Sequence, residues 1–464
     1  MPQIKQSDKQ ASEEAVRAWS PIYYGWIIVA VCFVVLTLIS LVATSFPIFY
    51  VPVLEDFNWS RGSTAIALSI HLILSGVAAP FAGGLIDRFG PRLVMPLGAL
   101  LTGSALVLLS RSTALWQFYV TFGLFAAIGS STLHITPLTA VVSDWFVRHR
   151  GTAISIVVAG PGAGQLVILP LLQNLINRMG WRHTYLIFGL AVLIVPTALV
   201  LLFLYRRPSD RGLPAKQELR LGKSGARVVS MVEDGEVIEP KTRIDRRAEV
   251  VILDKKWVET DWTVGTAVRT QRFWALTLVM ALVAVGFFLI SVHLIAYLVD
   301  KGYSPLMAAS VMGFQGLINI IGTLLGGMLG DRIGREKTLT LGMAMFIACI
   351  VLLNIGGFIV SPVCIYGFAV LYGIGYGMAF PALMASVADL FQGKHFGSIL
   401  GVILLSGYFG AALGSWLGGL FFDLTHAYRW NFLLAGIVML SSAALIWKAG
   451  PSQVRLLTTV PPNQ

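Results

Sequence analysis

Apolar residues run along this chain in long blocks separated by short polar breaks. Twelve such blocks stand at roughly 22–50, 63–86, 92–110, 114–142, 151–175, 182–205, 273–299, 304–330, 337–358, 361–388, 396–422 and 430–448. Each is long enough as a helix to cross ~30 Å of hydrocarbon. The first exceeds that need and is expected to continue past the bilayer. The longest polar stretch, 206–272, separates six blocks from six. The pattern predicts an all-α polytopic membrane protein with 12 transmembrane helices in two pseudo-symmetric six-helix bundles. Its parts are a tail at 1–21, a bundle at 22–205, a linker at 206–272, a second bundle at 273–448 and a tail at 449–464. Within the linker, Asp261 to Arg272 resembles an amphipathic lead-in to the seventh span.

Composition agrees with the pattern. Hydrophobic residues make up 56% of the 464 and charged residues 12%, about half the charged share of a soluble domain. Mean hydropathy is +0.77. The formal charge of +11 raises the question of a nucleic-acid partner, and its distribution answers it. With the N-terminus inside, 28 of the 34 Lys and Arg fall on the inside. The six outside are Arg61, Arg111, Arg178, Arg182, Lys301 and Arg429. In the short connections alone the inside leads by eight to six, and the two tails add five. This is the positive-inside bias with both termini cytoplasmic, so the charge records topology and no nucleic-acid partner is expected. Cys32, Cys349 and Cys364 lie in apolar blocks without a CxxC, which excludes a disulfide framework or zinc site. No cleavable signal peptide is expected: residues 1–21 are polar, and the first apolar block is too long for an h-region.

Two loops 244 residues apart are nearly the same. Gly83-Gly84-Leu85-Ile86-Asp87-Arg88-Phe89-Gly90-Pro91-Arg92 joins blocks two and three, and Gly327-Met328-Leu329-Gly330-Asp331-Arg332-Ile333-Gly334-Arg335-Glu336-Lys337 joins blocks eight and nine. A second pair sets Pro137 and Asp144-Trp145-Phe146-Val147-Arg148-His149-Arg150-Gly151 against Pro381 and Asp389-Leu390-Phe391-Gln392-Gly393-Lys394-His395-Phe396-Gly397. Glycine-rich spans follow each, at Gly160, Gly162 and Gly164 and at Gly407, Gly410 and Gly414. Small residues at this spacing let helices approach closely in lipid. A sequence that repeats at half its length describes two like halves, the build of many secondary transporters.

The duplicated loop resembles the motif joining spans 2–3 and 8–9 in major facilitator superfamily transporters, and the resemblance covers about residues 20–450. It implies a cytoplasmic gate carried by Gly83, Asp87, Arg88, Gly90, Arg92, Gly327, Asp331, Arg332, Gly334, Arg335 and Lys337. Asp87 and Asp331 end their helices where a carboxylate can pair with arginine or a helix N-terminus, and Gly90 and Gly334 permit a tight turn. Pro91 replaces the arginine usual there, leaving the first copy one donor fewer. A narrower resemblance is to monocarboxylate transporters and oxalate/formate antiporters. It rests on Tyr24-Gly25-Trp26, Phe57-Asn58-Trp59-Ser60-Arg61, and Asp144-Trp145-Phe146 with Arg150-Gly151.

That branch carries charged residues within its spans, and this chain departs from it. Proton-coupled monocarboxylate carriers place a lysine in the first span and an Asp/Arg pair in the eighth; oxalate/formate exchangers place an arginine in the eighth and a lysine in the eleventh. Here the first span reads Ala43-Thr44-Ser45, the eighth offers Gln315 and Asn319, and the eleventh has no basic residue. Every Lys, Arg and acid falls in a loop, a tail or the last turn of a span. Intramembrane charge is costly and usually functional. Its absence leaves two readings: a solute held by neutral hydrogen bonds, or an anion held by histidine and backbone donors at broken helices. His71, His134 and His293 lie inside spans and are the proton-carrier candidates. The 244-residue offset carries His71 onto Gln315, and Gln165, Asn319, Tyr376 and Tyr408 complete the pathway candidates. Each of these also has a plain packing explanation.

There is no GxxxxGK[ST] loop, HExxH or serine nucleophile set, so ATP-driven transport and enzyme chemistry are excluded. No metal and no cofactor are expected. The sequence predicts a secondary transporter moving a small, monocarboxylate-like organic anion by alternating access, coupled to protons or not. The alternatives are export or uptake of a neutral or amphipathic compound, as in drug efflux, and a receptor derived from the same fold. The functional unit is expected to be a monomer in the lipid bilayer, with a bacterial inner membrane as the setting.

Overall fold

A computed structural model describes residues 24–146, 150–205, 232–233, 236–237, 249–252, 254, 256–257, 260–358, 360–393 and 395–458. The tail at 1–21, most of the 206–272 linker, residues 147–149 and Lys394 of the second repeat, and residues 459–464 of the last tail lie outside the described residues.

Among the described residues, eleven helices are long and apolar enough to cross a membrane. One of them, Arg150–Phe203, doubles back at Gly180, where φ is 79° and ψ 165°, so the chain makes twelve crossings. Span 1 is Tyr24–Thr44 continued by Phe46–Phe57, span 2 is Arg61–Phe89 and span 3 is Pro91–Leu109. Span 4 is assembled from pieces between Leu115 and Trp145, and spans 5 and 6 flank Gly180. Span 7 is Gln271–Ser291 with Leu294–Asp300, span 8 is Pro305–Ile333 and span 9 is Arg335–Phe358. Spans 10, 11 and 12 are Pro362–Leu390, Phe396–Thr425 and Arg429–Ala449.

The repeat is legible in the helix ends. Ser60 accepts from the Ser63 amide to cap span 2, and Ser304, 244 positions on, accepts from Met307 to cap span 8. Both spans stop at a glycine of positive φ, 82° at Gly90 and 96° at Gly334, which lets the next span begin at once. We call the face bearing these glycines and the described chain ends the terminal face, and the opposite one the far face.

Contact between the halves runs along two helix pairs and is uneven. Spans 2 and 11 meet with Gly62 against Leu420 and Asp423, Ser69 donating to the Ala412 carbonyl at 2.7 Å, and Gly76 against the Tyr408 ring. Positions 62, 69, 76 and 83 share one helix face, yet a Cβ built at Gly83 meets nothing within 4 Å, nor does one at Gly401 opposite. Spans 5 and 8 behave alike. Gly313 and Gly316 press on Gln165, and Gly162 on Ile320 and the Gly316 carbonyl, while Gly327, on the same face as Gly313, meets nothing within 4 Å. The halves therefore converge at the far face and part toward the terminal one.

Outside the bundle, two short antiparallel ladders appear that apolar periodicity does not predict. Val232–Glu233 pairs with Glu236–Val237, and Glu249–Ile252 of the linker pairs with Arg455–Thr458 of the last tail. The end of the linker is seated on the second half, where the Trp257 indole donates to the Leu390 carbonyl at 2.7 Å.

Candidate functional site

The strongest polar junction between the halves is at the far face, centred on Arg61. Its guanidinium bonds Asp300 at 2.8 Å and the Tyr428 hydroxyl, and lies over the Phe422 ring at 3.7 Å. Its backbone amide and that of Gly62 donate to the two oxygens of Asp423 at 2.8 and 2.6 Å. A carboxylate of span 11 thus sits on the positive end of span 2, where the first amides of a helix have no partner within it. Below this, Tyr50 of span 1 donates to the Arg61 carbonyl at 2.7 Å and presents its ring to His293 of span 7 at 5.4 Å. The latch is not legible in the sequence: Arg61 stands out only within Phe57-Asn58-Trp59-Ser60-Arg61 and as one of six outer cations, and Asp300, Asp423 and Tyr428 carry no local signal.

Three spans are interrupted, and two of the candidate histidines stand at the breaks. Span 1 breaks at Ser45, because Pro47 has no amide with which to continue the ladder. Span 4 passes through a π-helical turn at Tyr119–Ala126, then breaks over Thr132–His134, where His134 is extended at φ −74°, ψ 178°. Pro137 removes the amide that would bond the Leu133 carbonyl, but Pro80 and Pro381 stand within the continuous helices of spans 2 and 10, so the proline alone does not account for the break. Span 7 breaks at Val292–His293. His71 is different. It lies within unbroken span 2, buried, with its Nδ1–H donating to the Phe122 carbonyl at 2.9 Å and its ring stacked on Phe122. Those partners give it a packing role, although His134 is within electrostatic range. His293 is buried beside the far-face latch and meets the Ser415 carbonyl at 3.0 Å.

The amides and tyrosines fall on the two inter-half seams and beside them. Gln165 of span 5 is wedged against Gly316 of span 8, and Tyr408 of span 11 against Gly76 of span 2. Gln315 is buried, and its Oε1 has no hydrogen-bond partner among the described residues. The Asn319 carbonyl accepts from Thr323 at 2.9 Å. Tyr376 stacks on Phe287 of span 7 at 3.8 Å and is within electrostatic range of Tyr408. The structure sets Tyr376 against span 7 and His71 against span 4, and places His293 apart, near the far face.

The duplicated loops lie at the terminal face. Arg335 bridges Asp331 at 2.7 Å and Asp389 at 3.2 Å, both in its own half. Glu336 accepts from the Ser452 amide at 2.8 Å. In the first copy, Arg92 donates to the Leu201 carbonyl at 2.5 Å and lies over the Tyr205 ring, and Arg88 lies over Phe89. Asp87, Arg332 and Lys337 stand at the same face, next to Gly83 and Gly327.

Twelve apolar crossings in two like halves, joined along two seams, define a multi-pass membrane protein of the two-bundle transporter architecture. The chain belongs to the Major Facilitator Superfamily, whose family model matches residues 31–391 and 365–459. Among similar proteins is the MFS-type transporter YcxA of Bacillus subtilis, described as uncharacterized and 26% identical over 87% of this chain and 90% of its own length. Monocarboxylate transporter 13 of Bos taurus is 25% identical over 91% of this chain and 88% of its own. Monocarboxylate transporter 12-B of Danio rerio is 27% identical over 91% and 86%. The fold matches that of a bacterial homologue of the lysosomal transporter Spinster, inward-facing and occupied, with TM-score 0.67, 15% identity and coverage of 96% and 100%. It also matches a D-xylose-proton symporter, with TM-score 0.67, 16% identity and coverage of 93% and 99%.

Proposed function

We propose that this chain is a secondary transporter that moves a small, monocarboxylate-like organic anion by alternating access, with protons coupled through His134 or His293. One observation carries the reading: the halves are latched through Arg61, Asp300 and Asp423 at the far face and parted at Gly83, Gly327 and Gly401 toward the terminal face. With the termini cytoplasmic, as the charge bias argues, this is the inward-open state. The duplicated loops then stand ready to latch the opposite face when the halves rock the other way. The names of the monocarboxylate transporters among its relatives support the solute class. So does the placement of two histidines at broken helices, where freed backbone groups and a titratable ring meet.

A second reading has its own support. Gln315 presents a buried acceptor with no hydrogen-bond partner among the described residues, and away from the far-face latch the seams carry the amide of Gln165 and the phenol of Tyr408. Such a lining suits a donor-bearing neutral or amphipathic solute, or a carboxylic acid carried protonated. A thermal-shift screen of purified protein against organic acids, nucleosides, vitamins and cationic drugs separates the two. Stabilisation by acids, followed by their flux into vesicles, is the expected result. Cationic or neutral ligands alone would favour the second reading, and binding without flux would sink transport in favour of a receptor.

A further inference from the structure

Beside the far-face latch, two buried acceptors share a cavity of about 10 Å³, room for a single water molecule. They are His293 Nδ1 and Asn431 Oδ1, neither of which has a hydrogen-bond partner among the described residues. Each residue is 1% exposed. The other polar atom of each is already engaged: His293 Nε2 with the Ser415 carbonyl at 3.0 Å, and Asn431 Nδ2 with the Gly418 carbonyl at 3.0 Å. A carbonyl oxygen only accepts, so Nε2 carries the hydrogen and Nδ1 of the neutral ring is a bare lone pair. The same logic fixes which end of the Asn431 amide is the oxygen, and Asn431, like His293, lines the cavity. Two acceptors cannot satisfy each other, and the remaining walls include Leu289, Ile290, Leu294 and Leu353. Leaving both unpaired would be costly. One water, with two O–H donors, answers both.

We infer that this cavity binds one water, donating to His293 Nδ1 and to Asn431 Oδ1, and that this water delivers protons to His293 from the far face. A vestibule of about 480 Å³ opens there, lined by charged residues including Arg61, Asp300 and Lys301. Tyr297, Tyr428 and Phe432 belong to the walls of both spaces. A hydronium ion in the vestibule gives a proton to the bridging water as that water passes one of its own to Nδ1. Two O–H bonds break, one on the hydronium and one on the bridging water; one O–H and one N–H bond form, leaving an imidazolium, the bridging water restored and a water molecule in the vestibule. The groups facing His293 are the Tyr50 ring from span 1, Arg61 from span 2, Ser415 and Asp423 from span 11, and Tyr297 and Tyr428 at the cavity wall. The delivery step rests on reading His293 as a proton carrier; the water site does not.

The test uses the full chain in nanodiscs with ¹⁵N-labelled histidine, the His293 signal being assigned by its loss in His293→Gln. The expected result is the Nε2–H tautomer with a water cross-peak to the ring, lost in both Asn431→Leu and the cavity-filling Leu353→Phe. An Nδ1–H tautomer, no cross-peak in the parent protein, or a cross-peak that survives in both variants would overturn the site. Delivery predicts slower protonation of His293 after a pH drop in whichever variant loses the water; an unchanged rate overturns it. Should His293→Gln leave flux driven by a pH gradient unaltered while the cross-peak stands, the carrier reading and the delivery step fail and the water site survives.

Discussion

Asp423 caps a helix to which it does not belong: its two carboxylate oxygens accept the first amides of span 2, from Arg61 at 2.8 Å and Gly62 at 2.6 Å. Under the proposed alternating access, the bond exists only while the far face is shut, so its strength is a difference between conformations. Charge at a helix N-terminus contributes about 0.3–2 kcal/mol, and hydrogen bonds to a charged group about 1.5–3.

Asp423→Asn is therefore expected to weaken far-face closure by about 1–2 kcal/mol, about a tenfold shift in population. Spin labels at Thr113 and Thr425 would report it as a growing long-distance component. An unchanged distance distribution would show that the cap is incidental.

Arg61→Lys is expected to behave almost as badly as Arg61→Ala. Guanidinium geometry lets one group bond Asp300 and Tyr428 while lying over Phe422, and an ammonium cannot do all three. The Asp300 pair is partly exposed, so it alone contributes no more than about 1 kcal/mol and weakens with salt. Full activity in the lysine variant at all ionic strengths would refute this.

Gly419→Ala should prop the far face open. A Cβ there would lie 2.7 Å from the Arg61 carbonyl group and from the Gly62 Cα, all backbone. Overpacking of this kind costs about 1–3 kcal/mol. A cysteine replacing Tyr50, in a protein without its three native cysteines, should then react faster with a maleimide. Gly401→Ala, facing open space, is the control expected to change nothing.

The two modes of histidine placement predict different behaviour. His71→Phe removes a hydrogen bond to the Phe122 carbonyl and should lower stability by about 1 kcal/mol without altering the pH dependence of flux. Replacing His134 and His293 together should flatten that dependence. If it persists, proton coupling through histidine is wrong.

Asp87→Asn with Asp331→Asn is expected to slow flux while leaving insertion normal. Asp331 is 64% exposed at its side chain, and Arg335 keeps Asp389 as a second partner, so the change in stability should stay under about 1 kcal/mol. Normal flux in the double variant would remove these loops from the gating cycle.

Much of this architecture is written in short-range sequence. Apolar block length gives the crossings, and Ser60/Gly90 and Ser304/Gly334 mark the same helix ends in both halves because caps and turns are local chemistry. The Pro137 break is not legible in the sequence, since Pro381, 244 positions on, stands within a continuous helix. What sequence hides is long-range. Arg61 and Asp423 are 362 positions apart, and neither is remarkable among loop charges. The break at His293 has no proline or glycine to announce it. The pairing of Glu249–Ile252 with Arg455–Thr458 joins two four-residue segments too short for any periodicity to register. Of the pathway candidates, the 244-residue offset relates His71 to Gln315, but register is not direction: the His71 ring is committed to a backbone carbonyl, and Gln315 keeps an oxygen with no partner among the described residues.

The turn at Gly180 sets how force travels through the first half. Span 5 lies on the seam with span 8, whereas span 6 is packed through Gly189 and Leu193 against span 3, away from the seam. A joint one residue long stores no slack. Any tilt of span 5 must drag the far end of span 6 with it, so the pair acts as a stiff elbow that carries displacement at the solute seam to the lipid-facing flank.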